Sequence, residues 1–152
     1  MNDSDNKLKE KVEANRELIR QEFGFLTTEY GYLEDFNLTE DNIYSQVLYA
    51  KNNWRISITT ISYDRRLSLR LLSPKEQSGF LDYYFSFLDK NYDRNIKSVS
   101  TLDKDIKYKS NFLRTNAQAI LVANPLQLNE VLDITINGHN IWIKENNLKQ
   151  ND

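Results

Sequence analysis

Between Trp54 and Leu71 the chain alternates apolar and polar residues almost without exception, and this constrains the fold more than any other feature. Trp54, Ile56 and Ile58 share one parity, against Arg55, Ser57 and Thr59. After Asp64-Arg65, Leu67, Leu69 and Leu71 share a parity, against Arg66, Ser68 and Arg70. Successive strand side chains point to opposite faces, so each run predicts a strand with one apolar and one wet face. An earlier strand carries Ile43, Val47 and Tyr49 up to a turn at Lys51-Asn52-Asn53. Connections this short force antiparallel neighbours, because a parallel crossover takes a dozen or more residues. The prediction is an antiparallel sheet of three or more strands.

Helical patterns flank the sheet. Leu8, Val12, Ile19 and Phe23 fall at helical spacing, with Asn15 where the stripe would continue, and Gly24 ends or bends this helix. Ser73-Pro74-Lys75-Glu76 reads as a capping box with proline at the first helical position, opening a helix that turns Leu81, Tyr84, Phe85 and Leu88 inward. Ser100-Thr101-Leu102-Asp103 reads as a second start, followed by a stripe of Leu102, Ile106, Leu113, Ala117 and Ile120. That helix must end or kink at Asn124-Pro125, which can cap a new short helix containing Leu128, Val131 and Leu132. For 134–143, Asn137-Gly138 between β-formers favours a hairpin, with a helix stopped at Gly138 as the alternative. Residues 1–6 and 145–152 are polar and expected to fray. The sum is an α+β fold in one domain over 1–152: an N-terminal helix, then the sheet, then C-terminal helices packed on one face.

Composition narrows the chemistry. With 39% hydrophobic and 28% charged residues the chain can build a core. It has no cysteine, which removes disulfides, thiolate metal sites and a cysteine nucleophile. A net charge of −2 argues against a nucleic-acid binder, and no apolar run spans a membrane. Residues 1–22 alternate acids and bases and show no apolar signal segment, so the expected compartment is the cytoplasm. The four glycines are too dispersed for a phosphate-binding loop, so no cofactor is expected.

Three groups of residues could carry chemistry. His139, the sole histidine, lies beside the predicted turn, where a solvated side chain is the default. Asp82, Asp89 and Asp93 share the expected face of the middle helix; paired carboxylates or a cation site compete there with a plain solvated face. Arg55, Arg66 and Arg70 project from the wet sheet face beside Lys51 and Arg65. Arginine forks match carboxylate and phosphate, so these form an anion or partner site, or else pair with the acidic stretch Glu29 to Asp41. That stretch holds five acids, Glu34 and Asp35 among them, and no base. Tyr44 and Tyr63 fall on the parity of the arginines, and tyrosine with arginine is the composition of a binding hot spot.

Phe25-Leu26 through Tyr30-Gly31-Tyr32, Val47-Leu48-Tyr49-Ala50, Trp54-Arg55-Ile56-Ser57-Ile58 and Tyr63-Asp64-Arg65-Arg66 together resemble a family of small bacterial proteins. These begin with a helix and continue through an aromatic stretch into a hairpin ending in Asp-Arg. Some are immunity-like and neutralise toxins by binding them. The resemblance covers the first half of the chain and implies a binding role without assigning any functional residue. The leading expectation is therefore a non-enzymatic protein-binding module, possessing neither cofactor nor metal. It would meet a protein partner through Arg55, Arg66, Arg70, Tyr44, Tyr63, Glu34 and Asp35. The alternatives are a small carboxylate enzyme using Asp82, Asp89 or His139, a small-ligand-binding protein, and a homodimeric structural protein.

Overall fold

The computed structural model describes residues 3–36, 45–61, 66–93 and 101–150. In chain order the elements are α1 (Asp3–Phe23), α2 (Phe25–Thr28), β1 (Leu33–Glu34), β2 (Gln46–Lys51), β3 (Trp54–Ile61), β4 (Arg66–Leu72), β5 (Ser78–Phe80), α3 (Leu81–Leu88), α4 (Leu102–Asn116), α5 (Gln118–Val122) and α6 (Pro125–Gln150). The fold is α+β, with an antiparallel five-stranded sheet in the order β1-β2-β3-β4-β5.

Alternation does what the sequence predicts. Val47, Tyr49, Trp54, Ile56, Ile58, Leu67, Leu69 and Leu71 are buried on one face and enter a single core cluster with α1, α3, α4, α5 and α6. The tight β2–β3 connection is made by Asn52 and Asn53, at φ of 53° and 67°. Both central residues are left-handed, as a type I′ turn requires, and asparagine tolerates that conformation well. The stripe of α1 is as read from Val12 onward, with Val12, Asn15, Ile19 and Phe23 buried, but Leu8 at its start is 43% exposed. Gly24 bends the chain rather than stopping it with a left-handed cap, since its φ is −59° and α2 follows at once.

Several expectations fail, each for a local reason. Ser73-Pro74-Lys75-Glu76 opens no helix. It is the loop of the β4–β5 hairpin, closed by Ser73 N–H to Gln77 O at 2.8 Å and Gln77 N–H to Ser73 Oγ at 3.1 Å. The serine thus caps a turn, and Glu76 takes a left-handed φ of 63°, which ends any helical run. Gly79 lies in β5, and α3 begins only at Leu81. The later start is capped by Thr101, whose side chain accepts from Lys104 N–H, one residue on from the predicted serine. The long stripe breaks at Ala117 (φ −105°, ψ 57°) into α4 and α5, and α5 closes with left-handed Ala123. Asn124-Pro125 then starts α6 as predicted, with Asn124 Oδ1 accepting from Leu126 N–H at 3.0 Å.

The expected hairpin at Asn137-Gly138 is absent, because α6 continues through it to Gln150. Gly138 serves close packing instead: a Cβ there would meet the Tyr83 Cβ at 3.0 Å. Helix α1 likewise begins at Asp3, within the segment expected to fray.

Candidate functional site

The opposite face of the sheet is the candidate site. Register arranges it in rows across the strands. The first row holds Leu33, Ala50, Arg55, Leu72 and Ser78. The second holds Leu48, Ser57, Arg70 and Phe80, and Asp35 joins it through its N–H to Leu48 O at 2.8 Å. The third holds Gln46, Thr59 and Ser68, and Arg66 sits opposite Ile61 in the fourth. Rows on one face recur every two residues, so Arg55 and Arg66 stand about 20 Å apart with Arg70 between them.

The centre of this face is dry and fixed. Leu48 is 4% and Ser57 5% exposed. Gln46 donates to Ser57 Oγ at 2.8 Å, and the Ser57 and Thr59 hydroxyls lie 3.3 Å apart. The rim is accessible: Arg55, Arg66 and Arg70 are exposed, with Leu33 at 70% and Phe80 at 40%. Arg70 donates to Ser78 Oγ and lies 5.2 Å over the Phe80 ring, which ties the guanidinium to the face. Arg55 is 3.8 Å from Asp35, with half of its side chain exposed. At its end of the face lies a groove of about 710 Å³, lined by Gly31, Leu33, Asn53, Arg55, Pro74 and Glu76 among others.

The remaining predicted residues separate. Glu34 points to the other face and binds Arg20 at 2.7 Å; Arg20 also takes Glu13 and Glu17. Burial works against the Arg20 charge, yet these carboxylates raise its pKa, and the Arg20 hydrogen bond holds the Glu13 carboxyl below its ordinary range. Glu29 pairs with Arg114. The acidic stretch is thus partly consumed by arginines of the same chain, and among its described acids Asp35 stands on the wet face. Tyr44 and Tyr63 lie outside the described residues, as do Arg65, Glu40 and Asp41.

The carboxylates proposed for catalysis do not share a helix face. Helix α3 ends at Leu88, leaving Asp89 and Asp93 beyond it. Asp82 accepts from Tyr92 OH at 2.5 Å, and Asp89 accepts from Asn91 N–H at 2.9 Å. Burial first, and then the Asp82 charge, push the Tyr92 phenol far up. Among the described residues no three His, Asp or Glu side chains group to hold a metal. His139 is not a turn residue; it sits on α6 with Nδ1 3.1 Å from Tyr83 OH and its ring stacked on Trp142.

Sequence reasoning missed a buried ion pair on α4. Lys109 Nζ donates to Leu67 O at 2.5 Å, and Asp105 Oδ2 accepts Leu67 N–H at 2.7 Å. The two side chains, 3% and 4% exposed, thereby occupy both backbone groups of a β4 residue that β5 is too short to reach. The i, i+4 spacing was visible, but a solvated helix face gives the same signal.

The chain matches no protein-family model, no curated protein and no solved structure. Of the residues that carry the resemblance, Phe25, Leu26, Tyr32, Val47, Tyr49, Trp54, Ile56 and Ile58 are buried in the core, while Arg55 and Arg66 are exposed. The buried ones specify packing, and the two arginines stand on the rim of the wet face. Among the described residues no helix is long and apolar enough to cross a membrane.

Proposed function

We propose that the chain is a non-catalytic protein-binding module that captures its partner on the wet sheet face, in the manner of an immunity protein that neutralises a toxin by occupying it. The observation that supports this is the coexistence, on one face, of exposed Arg55, Arg66 and Arg70 with exposed Phe80 and Leu33 around a dry centre. Arginine and aromatic side chains dominate binding hot spots, and a prearranged face loses little entropy on docking. Guanidinium forks select carboxylates, so the partner presents acidic side chains. The Arg55–Asp35 pair does not compete seriously, because an exposed ion pair contributes only about 0–1 kcal/mol.

The test is capture from a lysate with wild-type bait and with the triple variant R55E/R66E/R70E. One stoichiometric partner held by the first and released by the second supports the reading. Equal capture by both rejects this face, and no capture by well-folded wild-type bait rejects a protein-binding role.

A second reading rests on the groove beside Arg55. Its volume of about 710 Å³ lies within the ~300–1,000 Å³ of small-ligand sites. A small carboxylate that raises the melting temperature, and loses that effect after Arg55→Ala, would favour ligand binding over protein capture.

A further inference from the structure

After Thr135 no residue of α6 up to Leu148 is buried, yet the helix runs on to Gln150. At about 1.5 Å per residue this adds roughly 22 Å of helix. His139 still reaches the body through Tyr83 and Phe80, and Trp142 stacks on His139. From Asn140 onward the turns carry large apolar side chains in the open: Ile141 at 48%, Trp142 at 43%, Ile143 at 39% and Leu148 at 66% exposure. Short helical segments without tertiary contacts are marginal in water, and clustered exposed apolar side chains mark a contact surface.

Trp142 and Ile143 turn to other sides of the helix, and the side that holds Ile141 and Leu148 has a pattern that points to what covers it. Ile141, Lys144, Glu145 and Leu148 stand at i, i+3, i+4 and i+7, on one side of the helix. Read in either direction the order is apolar, charged, charged, apolar, and reversal exchanges the base for the acid. Such a face is complementary to itself when two copies run antiparallel. A two-fold axis between Lys144 and Glu145 sets Ile141 of each copy against Leu148 of the other, and each lysine against the opposite glutamate. A lipid surface would have to bury Glu145 in the middle of the stripe, which is costly. We propose that the end of α6 is a homodimer interface, formed by antiparallel pairing of the Ile141–Lys144–Glu145–Leu148 face with a second copy of this chain. None of these four residues belongs to the arginine face, and the charge reversals that test the dimer leave that face's residues unchanged.

Light scattering and sedimentation equilibrium on the full chain test it. The expected particle has twice the 18.0 kDa chain mass. K144E alone and E145K alone each place like charges across the axis and weaken dimerisation by roughly 10-fold or more. The double variant K144E/E145K restores opposite charges and recovers the dimer. These residues are exposed, so each variant should keep the wild-type circular dichroism. A wild-type monomer throughout the micromolar range overturns the proposal, as does a dimer that neither single reversal weakens.

Discussion

Asn15 interrupts the apolar stripe of α1 at a position where the helix faces the core. It is 9% exposed, and its Nδ2 is buried without a hydrogen-bond partner. An unpaired buried amide costs about 1–3 kcal/mol, whereas an apolar side chain of similar size there would contribute burial instead. Asn15→Leu should therefore raise the stability of the fold by about 1–2 kcal/mol, read as a higher urea midpoint at unchanged slope. An unchanged or lower midpoint would mean that the amide is satisfied in solution. The buried Lys109–Asp105 pair is a different case. Its charges take up the backbone of Leu67, leaving Asp105 Oδ1 as the single unpaired atom. The sequence exposed the first irregularity, because Asn15 breaks a period. It concealed the second, because Asp105 and Lys109 fit an ordinary charged helix face until β4 is placed against them.

Legibility at the scale of elements follows which interactions decide each one. The strands were readable because successive side chains turn to opposite faces: Ile56 and Ile58 enter the core beneath the helices, while Arg55 is exposed on the other face. Ser73-Pro74 and Asn137-Gly138 were misread because the same residue types serve several local structures. Serine before proline caps a helix or a turn, and the choice is made here by Gln77, which pairs with Ser73 across a hairpin. Glycine ends a helix or lets two elements approach, and the choice is made by what lies opposite. Gly79 shows the second use most sharply, since a Cβ there would overlap Thr135 Oγ1 and lie 2.6 Å from Thr135 Cβ. Its φ is not left-handed, so space alone demands glycine. Gly79→Ala should cost about 1–3 kcal/mol through displacement of α6 from β5. Adding Thr135→Ala should recover part of the loss, because it removes the overlapping hydroxyl but leaves the Cβ. If Gly79→Ala unfolds at the wild-type midpoint, β5 and α6 are not packed this closely.

The whole molecule divides its sheet between stability and recognition, and the sequence showed the division without showing what joins each half. The apolar parity supplies the core; the other supplies a face where Arg55, Arg66 and Arg70 occupy three separate rows. That they share a face was legible from parity, but the Phe80 ring under Arg70 was not, since β5 was read as helix. Nor was the diversion of Glu34 to Arg20, which depends on the strand β1 that the aromatic connection hid. If the division is real, the two parities should respond to mutation in opposite ways. Exposed arginines contribute about 0–1 kcal/mol each through surface pairs, and among the described residues Arg55 and Arg70 are the ones with a side-chain contact to lose. Reversing all three to glutamate should therefore lower stability by no more than about 2 kcal/mol. Ile58, fully buried on the other parity, should by itself cost about 2–5 kcal/mol when cut to alanine, because a cavity opens beneath the helices. Urea denaturation of the two variants side by side checks this. The expected order, Ile58→Ala below the triple variant, means that any lost partner capture by R55E/R66E/R70E reports a damaged surface in an intact fold. The reverse order would mean that the arginine face holds the sheet together, and its residues would have to be read as structural.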